Sequence, residues 1–96
     1  MNVLDSVLRE EYERLQRICA AMDREHASLP KGYISIKRIG GREYPYIQWR
    51  EGKKIAGRYV SAADAELLRD AISRRQSLEK SIRECKARMK KLEKVL

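Results

Sequence analysis

The sequence predicts an α+β protein: an N-terminal helix, a three-stranded antiparallel meander, and a long C-terminal heptad helix that forms an antiparallel helical hairpin or a coiled coil. Three observations carry this. Apolar residues recur at helical spacing before Pro30, two glycine turns separate β-rich runs between residues 31 and 60, and no glycine or proline interrupts residues 61–96. At 96 residues the chain has the length of one small domain, with 1–29, 31–60 and 61–96 as its three segments.

In the first segment Leu4, Leu8, Leu15, Ile18 and Met22 step by threes and fours, with Glu11 at the vacant seam position, which predicts an amphipathic helix. Pro30 ends it, because proline lacks the amide hydrogen and disfavours helical geometry in the residue before it.

In the second segment Gly40-Gly41 predicts a two-residue hairpin turn of the primed type, which needs positive φ at both central residues. Arg50-Glu51-Gly52 fits a three-residue turn closed by glycine in the left-handed region. These turns set a register in which Ile34 faces Ile47, Ser35 faces Tyr46, Lys37 faces Tyr44, Ile47 faces Ile55 and Tyr44 faces Arg58. One face then collects Ile34, Ile36, Ile47, Trp49, Ile55 and Tyr59. The other collects Tyr33, Ser35, Lys37, Tyr44, Tyr46, Gln48, Lys54, Ala56 and Arg58. A two-residue turn at Glu51-Gly52 would instead slip the third strand by one and send Ile55 outward.

The third segment opens with Ser61-Ala62-Ala63-Asp64, a serine N-cap followed by an acid at the positive end of the helix dipole. Leu68, Ala71, Arg75, Leu78, Ile82, Cys85, Met89, Leu92 and Leu96 then form a heptad seam spoiled only by Arg75. Arg75 either pairs with an acid such as Glu11 or Glu25, or marks the point where the seam turns to water. A helix of this length extends about 50 Å and needs a second apolar stripe to cover it. The first helix supplies one; a homodimer through Leu68, Leu78, Ile82, Met89 and Leu92 would supply another.

The formal net charge is +8, and its distribution is uneven. Residues 1–29 carry four basic and six acidic side chains, whereas residues 31–60 carry eight basic and two acidic, together with five of the six aromatics. A positive field of this kind attracts polyanions. Lys37, Arg38, Arg42, Tyr44, Tyr46, Gln48, Lys53, Lys54 and Arg58 are the candidate nucleic-acid contacts. Cations neutralise phosphates, tyrosines stack on bases, and a glutamine amide reads a base edge. Lysines and tyrosines also serve as ordinary solvent-facing residues of small sheets. A second basic cluster, Arg83, Lys86, Arg88, Lys90, Lys91 and Lys94, reads as a solvated helix flank that could touch a phosphate backbone.

Other chemistry is thin. His26 is the only histidine and reads as a capping or surface residue; Cys19 and Cys85 occupy apolar-stripe positions and read as reduced core thiols. Neither glycine cluster has the context of a phosphate-binding loop, and no constellation for nucleophilic, acid–base or metal catalysis is present. The expectation is a non-enzymatic protein with no cofactor and no small-molecule substrate. No stretch near Met1 resembles a signal peptide, and no apolar run approaches the roughly 20 residues of a membrane span, which predicts a soluble, cytoplasmic protein without a membrane partner.

The stretch LPKGYISIKRIGGREYPYIQWREGKKIAGRYVSAADAELLRDAI resembles a group of small uncharacterised bacterial, archaeal and phage proteins. In them an LPKG lead-in, a tyrosine-rich strand, a REGGK-like turn and a KYV-like strand run into a long charged helix; the resemblance covers about residues 29–96 and implies no activity. More loosely, three strands followed by a helix beginning near Ala63 are similar to the arm-binding domain of tyrosine recombinases, whose sheet enters the DNA major groove. That resemblance would put Lys37, Tyr46, Gln48 and Arg58 on the corresponding face. The expected partner is therefore nucleic acid, DNA ahead of RNA, or a nucleoprotein. The other expectation is a protein-interaction module, such as a phage or mobile-element adaptor or inhibitor, that docks through its helical stripe or its sheet.

Overall fold

A computed structural model describes residues 2–96. The element order is α1 (Val3–Ser28), β1 (Tyr33–Ile39), β2 (Arg42–Glu51), β3 (Lys54–Tyr59) and α2 (Ala62–Glu93), an α+β fold with a three-stranded antiparallel sheet in the order β1-β2-β3. The chain divides into two compact units that share α2.

The helical unit takes the chain up to Ser28 and resumes at Ser77. Asn2 Oδ1 accepts the Asp5 amide at 2.8 Å and so caps α1. Within the unit the Tyr12 hydroxyl donates to Glu93, Lys86 lies 3.8 Å from Asp23, and His26 lies 3.0 Å from Glu79. Partners that descend along α2 as they ascend along α1 mark an antiparallel hairpin. Leu15, Cys19, Leu78, Ile82 and Cys85 are buried in it.

The stripe that α1 buries is a neighbour of the one its leucines suggest. Leu15 is buried and Leu8 and Met22 are half-buried, as expected, but Leu4 is 64% and Ile18 is 38% exposed. The buried or half-buried line is Leu8, Tyr12, Leu15, Cys19, Met22 and His26. Two heptad lines share positions 8, 15 and 22. The line carrying Tyr12, Cys19 and His26 faces α2 because their side chains make its cross-helix hydrogen bonds or fill its core.

The sheet unit runs from Leu29 to Gln76. Its core is Ile47, Val60, Ala65 and Ile72, against which Ile34, Trp49 and Leu68 pack. One face of the sheet is thus covered by the first turns of α2, and full burial of a side chain such as Ile47 contributes about 1.5–3 kcal/mol. Ser61 Oγ accepts the Asp64 amide at 3.1 Å, the expected cap of α2. Arg75 donates from Nη1 to the Leu29 carbonyl at 2.8 Å, so the cation within the heptad seam satisfies a backbone acceptor left open beyond the end of α1.

Candidate nucleic-acid interface

The first hairpin has the expected register. Gly40 and Gly41 adopt φ of 60° and 80°, and Ile39 pairs with Arg42, Lys37 with Tyr44, Ser35 with Tyr46 and Ile34 with Ile47.

The second hairpin does not. Glu51 pairs with Lys54, so the turn consists of Gly52 and Lys53 alone. Gly52 has φ 59° and no described residue other than glycine has positive φ, the pattern of a type II′ turn with glycine first. Ile47 therefore faces Arg58 rather than Ile55, Trp49 faces Ala56 and Tyr46 faces Tyr59. The shift is odd in number, so every side chain of β3 changes face. Lys54, Ala56 and Arg58, expected on the open face, lie on the face of Ile47; Ile55 and Tyr59, expected beneath the sheet, lie on the face of Tyr46.

The corrected open face gathers Tyr33, Ser35, Lys37, Ile39, Arg42, Tyr44, Tyr46, Gln48, Arg50, Ile55 and Tyr59 by strand alternation. Of the nine residues named from the sequence, Lys37, Arg42, Tyr44, Tyr46 and Gln48 belong to it. Lys53 sits at the turn tip. Arg38, Lys54 and Arg58 stand on the opposite face, and Arg38 is tied to Glu43 at 2.9 Å.

At the centre of the open face three tyrosines make a cluster. Tyr59 meets Tyr44 and Tyr46 edge to face, with ring centroids 6.0 and 5.9 Å apart. Each such contact adds roughly 0.5–1.5 kcal/mol beyond the area it buries, which fixes the rings in place. Lys37 Nζ lies 4.5 Å from the Tyr46 ring centroid, a cation–π contact that holds the ammonium over the cluster. Gly57, directly opposite Gln48, leaves the space into which the Gln48 chain leans; a Cβ there would lie 3.2 Å from Gln48 Cγ. Tyr59 is the member that sequence reasoning put on the wrong face, and reading Gly52-Lys53 as a glycine-first two-residue turn is the signal that finds it.

The Ser35 hydroxyl lies on this face opposite Tyr46; its oxygen is buried and makes no hydrogen bond among the described residues. The five residues named for self-association are used within the chain: Leu78 and Ile82 are buried, Met89 and Leu92 are half-buried, and Leu68 packs on the sheet core. Burial raises the Cys19 thiol pKa above its ordinary value, with the nearby Asp23 carboxylate adding to the effect. Among the described residues no cluster of three or more His, Cys, Asp or Glu side chains is placed to hold a metal ion. No described helix is long and apolar enough to cross a membrane.

In comparisons with known proteins, residues 8–70 match a family model described as a domain of unknown function (DUF6788), which takes in most of α1, the whole sheet and the first turns of α2. No curated protein and no solved structure matches the chain.

Proposed function

We propose that this chain, which belongs to the DUF6788 family, is a non-enzymatic nucleic-acid-binding protein that meets its ligand, DNA ahead of RNA, with the open face of its sheet. The observation that carries the reading is the coincidence on one uncovered face of the Tyr44–Tyr46–Tyr59 cluster, the Lys37 ammonium held above it and the Gln48 amide, with Arg42 and Arg50 toward the ends. Aromatic rings and a cation in that arrangement suit bases and phosphates together. The reading fits the +8 charge, which draws a polyanion to the protein before any specific contact forms.

Fluorescence anisotropy with labelled duplex DNA, single-stranded DNA and RNA, run across a salt series, tests this. With Lys37, Arg42 and Arg50 as the phosphate contacts, the logarithm of affinity falls with the logarithm of salt at a slope of roughly −2 to −3. Binding that ignores salt would favour the protein-interaction reading, for which Ile39, Ile55 and Tyr59, each more than half exposed on this face, provide the apolar surface.

Self-association is the second part of the proposal and belongs to α1. With the line of Leu8 and Leu15 turned inward, Leu4, Val7 and Ile18 stand exposed at heptad spacing around the Arg14–Glu11 ion pair, an apolar stripe with a charged centre suited to a second copy of itself.

A further inference from the structure

Strand pairing sets Tyr33, Gln48 and Gly57 side by side in one row of the open face, across β1, β2 and β3, and the place on β3 has no side chain. We infer that this gap is a reading site: it admits the edge of an adenine in duplex DNA, which the Gln48 amide recognises. The inference rests on the nucleic-acid reading above and adds to it a base and a strand state.

Glycine at 57 does not serve the backbone conformation. Four of the five glycines take positive φ, which favours glycine, and Gly57 is the one that does not. Inside a strand such a residue weakens the pairing, and it often marks where a ligand or another backbone comes close. A Cβ here would lie 3.2 Å from Gln48 Cγ and 3.2 Å from the Ile47 carbonyl oxygen, so the missing methyl leaves the room into which Gln48 leans. β3 is an edge strand, and Ile55 and Tyr59, two residues to either side of Gly57 on the same face, are 61% and 54% exposed. They wall a slot that opens at the edge of the sheet, with exposed Gly57 as its floor.

The group beside this slot is polar and unengaged. Gln48 is half-buried, yet its amide makes no hydrogen bond among the described residues, so the gap serves no internal bond. A glutamine amide offers a donor and an acceptor side by side. That pair matches the N7 acceptor and N6 donor that adenine shows in the major groove. Exposed aliphatic Ile55 suits the 5-methyl group of thymine, the apolar feature of the same groove. Lys37, Arg42 and Arg50 share the face and supply phosphate contacts, which position the duplex without reading it. The major groove of A-form RNA is too deep and narrow for side chains to read, so this readout selects DNA.

The full chain is used to select from duplex DNA with a randomised central stretch, and the bound sequences are read after repeated rounds. Enrichment of an adenine at one fixed position is expected. Replacing that A·T pair by G·C should weaken binding by about tenfold, read by anisotropy, and 7-deazaadenine, which lacks the N7 acceptor, should act in the same direction. Gln48→Ala should bring the two duplexes to nearly equal affinity and leave the salt slope unchanged, because the phosphate contacts remain. Gly57→Ala, which fills the slot and keeps Gln48, should erode the same preference. An unchanged salt slope, with circular dichroism matching the unaltered chain, shows that each variant folds. A pool bound without an enriched base, an enriched base other than adenine, or a preference that survives Gln48→Ala overturns the reading site and leaves the sheet reading standing. Binding to single strands alone does the same. Absence of binding to every nucleic acid by the unaltered chain removes the sheet reading itself, and this inference with it.

Discussion

Ser35 and Cys19 show how differently two buried polar atoms are treated. The Ser35 hydroxyl oxygen is covered on the open face without a hydrogen bond among the described residues, so it contributes desolvation cost and no compensating bond. Ser35→Ala is therefore expected to leave stability unchanged or raise it by up to about 1 kcal/mol, read from the urea midpoint. Cys19 and Cys85 are 6% and 8% exposed in the helical unit, and burial keeps the Cys19 thiol protonated. Its folded pKa is raised, so the stability linked to the neutral thiol is present below the ordinary thiol range and is lost as pH rises through the raised value. A thiol reagent should accordingly label both cysteines slowly in the native protein, even near pH 9, and rapidly once urea unfolds it. Fast native labelling would contradict the packing. The burial of both was legible from their stripe positions; that Cys19 shares a line with Tyr12 and His26 was not, because hydropathy does not count a tyrosine and a histidine as core.

At the scale of elements, the helices and the first hairpin follow from sequence because each depends on a local signal with a single solution. Gly40-Gly41 admits positive φ at both positions, Ser61 accepts the amide three residues on, and Pro30 cannot continue a helix. The second hairpin has two local solutions: one glycine can close a three-residue loop or open a two-residue turn. What decides between them is not local. In the observed register Val60 falls beneath the sheet, 3% exposed, and its amide donates to the Pro45 carbonyl at 3.1 Å, while Glu51 meets Lys54 and Tyr46 meets Tyr59. Burial of Val60 and the tyrosine contacts outweigh the Ile47–Ile55 pair that the longer turn would have made. The glycines themselves give a graded test. Gly40→Ala meets open space and only the strain of φ 60°, about 1–2 kcal/mol, whereas Gly32→Ala adds a backbone collision at 2.1 Å. Thermal unfolding should rank Gly32→Ala well below Gly40→Ala; equal melting points would mean that β1 does not enter the sheet as described.

Over the whole molecule, the proposed partner class rests on composition and the proposed surface on register. The +8 charge alone would have spread candidate contacts over both faces; the corrected β3 concentrates tyrosines on one and sends Lys54 and Arg58 to the other. The helical unit is subject to the same logic. Leu78 and Ile82 are buried in the helical unit, so the proposed contact with a second copy is assigned to what α1 leaves exposed, Leu4, Val7 and Ile18. Val7→Glu should halve the mass seen by light scattering without loss of helical signal, whereas Leu78→Ala should cost about 2–5 kcal/mol of stability as a cavity in the core. An unaltered chain that scatters as a monomer would remove the self-association proposal and leave the sheet proposal untouched.

Arg58 and Tyr59 are adjacent on β3 and point to opposite faces. Salt-series anisotropy with Arg58→Ala and Tyr59→Ala, against the same labelled strand, therefore asks which face holds the ligand. A loss of about tenfold for Tyr59→Ala with no more than about threefold for Arg58→Ala is the expected result. The reverse order would place the nucleic acid on the other side of the sheet and contradict the account.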